Sequence, residues 1–338
     1  MTTLTGPVPP GLLNELSRSR SGELLHHELS ARWPETADSL DAIARYAMVP
    51  AGKFLRPVMA LTVAEAVGGN PEDVVPAALA MEYLHVATLT HDDIIDGDTV
   101  RRGRPTVHVA YGMSEAIVTG DYLIFSAFAA ITASRASGSR AVAESIAVLA
   151  EAGSDLCRGQ ILEAELVDDL TAGVGKYLEM ARLKTGALFR AVCHIGALLG
   201  GAEETQAAAL AGYGEDLGVA FQIRDDLIVF ADPAGTVDKP TTSDLVNGRP
   251  TLPVLMAYEA ADVARRQALS SALARRSANA PEFEEFRRAL IDTGAVARCH
   301  ETAGAYGQRA IQGLAGLEPS GSVDVLTEIV RWAVTTEP

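Results

Sequence analysis

Residues 77–96 constrain the fold more than any other part of the chain. Leu79, Tyr83, Leu84, Val86, Ala87, Leu89, Ile94 and Ile95 recur close to the helical period and occupy most sides of the helix they predict. A helix that is apolar nearly all round needs other helices around it. Similar periodicity runs through 113–134, 141–168, 175–199, 203–231, 250–275, 282–314 and 322–334. Turn-forming clusters separate these runs: GGNPED at 68–73, RRGRPT at 101–106, SRASGSR at 134–140, GGAEE at 200–204 and DPAGTVDKPTTSD at 232–244. There is no convincing alternation of β-branched residues and no fixed-period repeat, and aromatics are only 5% of the chain. The expectation is an all-α fold, a single large helical bundle over 23–338, preceded by a flexible N-terminal tail over 1–22.

Composition removes several function classes. With 28 basic and 44 acidic residues the net charge is −16, which argues against a nucleic-acid binder held by a general basic surface. A local cationic pocket for phosphates remains open. Apolar residues at 48% exclude extensive disorder. Cys157, Cys193 and Cys299 are too scattered for a disulfide scaffold or a zinc ribbon, so a reducing cytoplasm fits. No run approaches ~18 uninterrupted apolar residues, so no membrane span is expected. The start, MTTLTGPVPPGLL, lacks the basic and apolar regions of a signal peptide.

Two acidic motifs carry the chemistry. In THDDIIDGDTVRRGRPTVH, at 90–108, Asp92 and Asp96 are four apart and share a helix face, with Asp93 about 100° round. Like charges at that spacing repel, and the flanking residues are apolar, so a divalent cation is the natural partner. Hard oxygen ligands with open positions suit Mg2+ shared with a ligand phosphate. In FQIRDDLIVFADP, at 221–233, Asp225 and Asp226 lie in an apolar helix, and Val229 fills the place four after Asp225. Each motif alone also reads as an acidic helix end facing solvent. Together they read as two carboxylate walls.

Cations stand beside these acids. Lys53 and Arg56, in Gly52-Lys53-Phe54-Leu55-Arg56-Pro57, share one face of a helix start. Arg101, Arg102 and Arg104 crowd the loop after the first motif, and Lys184, Thr185 and Lys239 follow. Arginine suits bidentate phosphate recognition and lysine acts as a point charge. His91-Asp92 also suggests a metal phosphohydrolase of the His-Asp type, but no further histidines stand at ligand spacing.

Taken together these residues resemble the trans-isoprenyl diphosphate synthases, the polyprenyl synthetase family, in particular its geranylgeranyl and longer-chain members. The match covers roughly residues 40–260, in the family's order. Gly52, Lys53, Arg56 and His85 are similar to the isopentenyl diphosphate grip, and Arg102 to its partner arginine. Asp92, Asp93 and Asp96 resemble the first aspartate-rich motif, and Arg101 the arginine directed at the allylic diphosphate. Gly159, Gln160 and Glu163, Lys184 and Thr185, Phe221 and Gln222, Asp225 and Asp226, and Lys239 match the remaining signatures. Val229 departs from the second aspartate-rich motif, Asp238 stands where glycine is common, and Arg249 where lysine is common.

The resemblance implies a helical bundle with a central cavity, a homodimer, and head-to-tail prenyl transfer. Three Mg2+ ions, held by the aspartates of both motifs, would bind an allylic diphosphate (dimethylallyl, geranyl or farnesyl). Arg101, Lys184 and Lys239 would offset charge on the leaving diphosphate, while Thr185 and Gln222 offer dipoles to the carbocation. Product length would depend on the helix before Asp92. Thr88 and Ala87 are small there, with Leu84 and Tyr83 one turn further back and Tyr83 or Phe125 as the floor. Small residues imply a product of about twenty carbons or longer. A class I terpene cyclase on the same frame and a weakly active subunit of a heteromer stay open. Intact Lys53, Arg56 and His85 favour elongation.

Overall fold

The computed structural model describes residues 11–35, 38–50, 52–134, 138–231, 247–275 and 280–335, with no side chains at 13, 229–231 and 280–285. The chain runs through α1 (Leu12–Ser17), α2 (Arg20–Arg32), α3 (Ser39–Met48), α4 (Leu55–Ala66) and α5 (Pro71–Asp96). A two-stranded hairpin, β1 (Val100–Arg101) and β2 (Arg104–Pro105), leads to α6 (Val107–Tyr111), α7 (Met113–Thr132), α8 (Gly138–Leu166) and α9 (Gly173–Ala181). A π-helical turn (Arg182–Gly186) then joins α9 to α10 (Ala187–Gly200), followed by α11 (Glu204–Ala231). The last elements are α12 (Leu252–Ala260), α13 (Val263–Arg275), α14 (Ala280–Asp292), α15 (Ala295–Gly313) and α16 (Gly321–Val334).

Helix α5 is the axis of the bundle. Its 26 residues span about 39 Å at 1.5 Å per residue. The Asn70 side chain caps its start by accepting the Glu72 N–H, Pro71 fills the first turn, and Glu72 and Asp73 complement the helix dipole. Gly97, at φ 69°, takes the left-handed conformation that ends it. Its residues are buried on most sides, from Val74 through Ala87 to Thr90, against α4, α7 and α10. Each large apolar side chain so buried contributes about 1.5–3 kcal/mol. Helix α11 packs on α10, α15 and α16, and a second apolar cluster gathers α9, α12, α14 and α15 beneath the far end of α8.

Several sequence expectations change here. Residues 12–22 are not a flexible tail: Leu12 and Leu16 of α1 belong to the main core, and Ser19 caps α2 through the Gly22 N–H. The run 250–275 is two helices, because Ala261 is extended and the Asp262 carboxylate accepts the Arg265 N–H to start α13. The run 282–314 breaks at Gly294, φ 72°. Helix α7 is long and apolar enough to cross a membrane by length and composition alone, though Glu115 and Asp121 interrupt its apolar run. One side of it is sealed against α5, while Ile117, Val118 and Phe125 face outward.

Candidate active site

The β1–β2 hairpin turns on two residues, Arg102 (φ 52°) and Gly103 (φ 72°), both in the left-handed region. Positive φ at both central residues is the signature of the tight turn that matches strand twist. Only Gly103 adopts it without cost, so Arg102 is strained by placement. Arg104 anchors the hairpin, donating to the Val49 and Tyr46 carbonyls at 2.8 and 3.2 Å and lying 4.0 Å over the Tyr46 ring. The other strained non-glycine at the site is Phe54 (φ 51°), which sits between Lys53 and α4 and is buried.

Asp92 and Asp96 close one end of a polar cleft. Burial raises the Asp92 carboxyl above its ordinary range; Lys184 opposes the rise, while Asp96 and Glu163 add to it. Asp96 is ion-paired with Arg249, whose Nε also lies 3.8 Å from Glu163 Oε2. Lys184 Nζ sits 2.5 Å from the same Glu163 oxygen. Of these three carboxylates, Asp96 and Glu163 are ion-paired with Arg249 and Lys184, while Asp92 only feels the charge of Lys184. Asp93 is different: it is buried, and its Oδ1 accepts Arg101 Nε at 2.5 Å, with Asp98 taking Nη2 at 3.3 Å. The 100° step round the helix turns Asp93 away from the Asp92 face, so it orients Arg101 rather than joining the acidic wall. His91 leaves the cleft as well, since its ring lies over Gly120 of α7 and Nε2 is 3.2 Å from the Ile117 carbonyl.

Lys184 and Thr185 lie in the π-helical turn, a rare distortion that re-aims side chains. Gly159 of α8 permits it. A Cβ there would sit 2.5 Å from the Lys184 amide nitrogen. On α11, Asp225 is half-buried and acts electrostatically on Arg56 and Arg224. Asp226 points the other way. It is buried and accepts Tyr177 OH at 2.6 Å, the Leu252 N–H at 2.9 Å and Gln222 Nε2 at 3.3 Å. An oxygen pair so occupied holds α9, α11 and α12 together and corrects the expectation of a metal ligand at Asp226. The same network fixes Thr185, whose hydroxyl donates to Gln222 Oε1 at 2.8 Å. Lys239 and Asp238 lie outside the described residues, as does the Val229 side chain.

A basic niche occupies the space between α4, α5 and the hairpin. Arg56 is half-buried, its guanidinium 4.6 Å over the Phe189 ring and its Nε without a hydrogen-bond partner. Burial pushes its pKa down to about 10, with Glu82 and Asp225 opposing, so it stays charged at neutral pH. Gly52 lets Arg102 in: a Cβ at 52 would lie 2.7 Å from Arg102 Nη2. Burial and then Arg56, Arg102 and Arg101 push His85 well below its ordinary value, so its ring is neutral. Lys53 stands exposed at the mouth. Glu82, one turn before His85, is 3% exposed and compensates Arg56 and Arg102. Sequence reasoning passed over Glu82, whose only signal was a lone carboxylate in an apolar helix.

The proposed chain-length residues divide. Tyr83, Leu84 and Ala87 are buried in the core, and Thr88 is half-buried, its hydroxyl donating to the His85 carbonyl. The Tyr83 ring meets Trp33 edge-on at 5.8 Å. Phe125 is 71% exposed on the outer side of α7, so within this chain it closes no pocket floor.

Among the described residues no three-ligand cluster of His, Cys, Asp or Glu is preassembled for a metal. The hard carboxylates available as donors are Asp92 and Asp96 on α5 and Asp225 on α11. That suits Mg2+, which takes one or two carboxylates and completes its shell with phosphate and water.

The polyprenyl synthetase family model matches residues 37–290. The chain is 35% identical to a short chain isoprenyl diphosphate synthase of Methanothermobacter thermautotrophicus, over 93% of this chain and 95% of that protein. Its fold is similar to geranylgeranyl pyrophosphate synthetase from Pyrococcus horikoshii Ot3, with TM-score 0.87, 31% identity, and 96% and 98% of the two chains covered. It is also similar to a polyprenyl synthase from Caulobacter crescentus CB15 complexed with calcium and isoprenyl diphosphate, with TM-score 0.86, 28% identity, and 98% of each chain covered. The acidic motifs on α5 and α11, the basic cluster about Arg56 and Arg102 and these matches lead to one assignment: the chain belongs to the polyprenyl synthetase family.

Proposed function

We propose that this protein is an Mg2+-dependent trans-prenyltransferase that condenses isopentenyl diphosphate head-to-tail with an allylic diphosphate, giving a product of about twenty carbons or longer. The observation that carries this reading is the presence of two differently built charge sites along α5, one at Asp92 and Asp96 and one at Glu82 and His85. One pairs Asp96 and Glu163 with Arg249 and Lys184, with Asp92 in the electrostatic field of Lys184, as suits a diphosphate bridged by metal. The other places Arg56, Arg102, Glu82 and His85 together with no acidic excess, as suits a diphosphate bound directly. A cyclase has no use for the second.

In this mechanism Asp92, Asp96 and Asp225 hold Mg2+, three ions in all. Bound Mg2+ supplies Lewis-acid stabilisation of the departing diphosphate. Lys184, Arg101 and Arg249 add fixed positive charge where negative charge grows, and Lys239 has the same proposed role. The allylic C–O bond breaks, leaving a carbocation that the Thr185 and Gln222 dipoles face. Arg56, Arg102, Lys53 and the neutral His85 hold isopentenyl diphosphate so that its double bond attacks that carbon. The new C–C bond forms, and loss of a proton to the released diphosphate restores neutrality.

The exposed apolar face of α7 supports a homodimer, and three cysteines without a disulfide support a reducing cytoplasm. The test is incubation with Mg2+, labelled isopentenyl diphosphate and dimethylallyl, geranyl or farnesyl diphosphate. Labelled elongated diphosphate supports the reading. Hydrocarbon from an allylic substrate alone, or turnover only with a second protein, rejects it.

A further inference from the structure

The half-buried Arg56 cation of the basic niche ends a run of stacked groups that begins at the C-terminal helix. Arg56 rests 4.6 Å over the Phe189 ring of α10. Phe189 lies 5.5 Å from Phe221 of α11, and Phe221 5.6 Å from Trp332 of α16. The indole also carries the Arg224 guanidinium at 4.4 Å, and Arg224 Nε donates to the Thr335 carbonyl at 2.7 Å. Trp332 is thus held between α11 and the end of its own helix. Helix α16 is moored independently. Tyr213 OH donates to the Leu326 carbonyl and Ser322 Oγ to Glu65 Oε2, both at 2.8 Å, while Leu326, Ile329, Val330 and Ala333 are fully buried. Trp332 itself is only half-buried, so sealing the core does not require its indole.

Arg56 Nε has no hydrogen-bond partner, so the ring beneath the guanidinium aims it together with the attraction of Glu82 and Asp225. We infer that Trp332 is a positioning residue for the isopentenyl diphosphate site: it fixes the Phe221 and Phe189 rings on which Arg56 rests. The inference rests on the reading of Arg56 as a diphosphate-binding cation.

The test compares Trp332→Ala, Trp332→Leu and Trp332→Phe with Arg56→Lys. It measures KM for each substrate, the Kd of isopentenyl diphosphate by calorimetry, and melting temperature. Trp332→Ala and Trp332→Leu should raise KM and Kd for isopentenyl diphosphate about tenfold, and Trp332→Phe should restore both. KM for the allylic substrate should stay within about twofold. A merely structural role lowers the melting temperature without moving the isopentenyl diphosphate constants. If Trp332→Ala does not fold, Trp332→Leu against Trp332→Phe decides, since leucine keeps apolar bulk and lacks the ring. Unchanged constants in a folded Trp332→Leu protein overturn the inference. If Arg56→Lys also leaves them unchanged, the assignment of Arg56 falls; if Arg56→Lys raises them, only the role of Trp332 falls.

Discussion

A single methyl group at Gly52 tests the geometry of the basic niche. Gly52 is not among the positive-φ glycines, so alanine meets no backbone penalty and loses some unfolded-state entropy. Its Cβ would lie 2.7 Å from Arg102 Nη2, 3.1 Å from Cζ and 3.4 Å from Nη1. Ordinary contact begins near 3.4 Å, so the guanidinium must retreat by about 0.7 Å. A hydrogen bond of about 2.8 Å to a diphosphate oxygen then stretches to about 3.5 Å, beyond useful range. Losing one charge-assisted bond costs about 1.5–3 kcal/mol, or roughly 10- to 100-fold in binding. Steady-state kinetics should show KM for isopentenyl diphosphate rising by that factor while KM for the allylic substrate stays within about twofold. Melting temperature should move by no more than about 2 °C. Adding Gly52→Ala to Arg102→Ala should have no further effect, because the methyl acts only through that side chain. An unchanged KM, or equal loss for both substrates, refutes the argument.

Three further outcomes follow from the same contacts. Asp226→Asn replaces one of the two accepting oxygens with an amide NH2, so at least one of the three donors loses its acceptor; this should cost about 2 kcal/mol, read as a lower melting temperature with Mg2+ dependence unaltered, and a shift in the Mg2+ requirement restores the metal role. His85 has a folded pKa far below its unfolded value near 6.5, so the unfolded chain binds the proton first. Its contribution to stability is therefore complete above about pH 6.5 and declines below it by at most about 1.4 kcal/mol per pH unit; a His85→Gln protein should lose that acid-side slope in denaturant titrations. Thr88→Phe, on the Asp92 face and half-buried, should shorten the product by chromatography of dephosphorylated alcohols, and unchanged length rejects this wall; Ala87→Phe should also shorten it, but with about 1–3 kcal/mol of overpacking at a fully buried site.

Much of this was legible in the residues, and the exceptions share a cause. Periodicity showed α5 and its surrounding helices because burial repeats every turn. Motif spacing put Asp93 about 100° from Asp92, yet the motif grouped it with the metal ligands; its bond to Arg101 is what takes it out of that set. The same arithmetic left Asp225 and Asp226 ambiguous: which of two adjacent carboxylates meets the cleft depends on Tyr177 and Leu252, distant in sequence. Glu82 and Trp332 carry no local signature, because their meaning comes from Arg56 and Phe221 across the bundle. The π turn at Lys184 and Thr185 was hidden too, since one extra residue per turn barely disturbs an apolar pattern. Phe125 was misjudged because an apolar residue on an amphipathic helix faces the core or a partner surface with equal propriety, and only burial distinguishes them.

The central claim concerns carbon–carbon bond formation between two diphosphates, so product identity tests it most directly. Purified protein, Mg2+, farnesyl diphosphate and labelled isopentenyl diphosphate should yield, after dephosphorylation, a labelled linear alcohol of about twenty carbons or longer, and none when Mg2+ is chelated. Folded protein that leaves the label in isopentenyl diphosphate with every allylic primer, or releases an unlabelled hydrocarbon, contradicts the account.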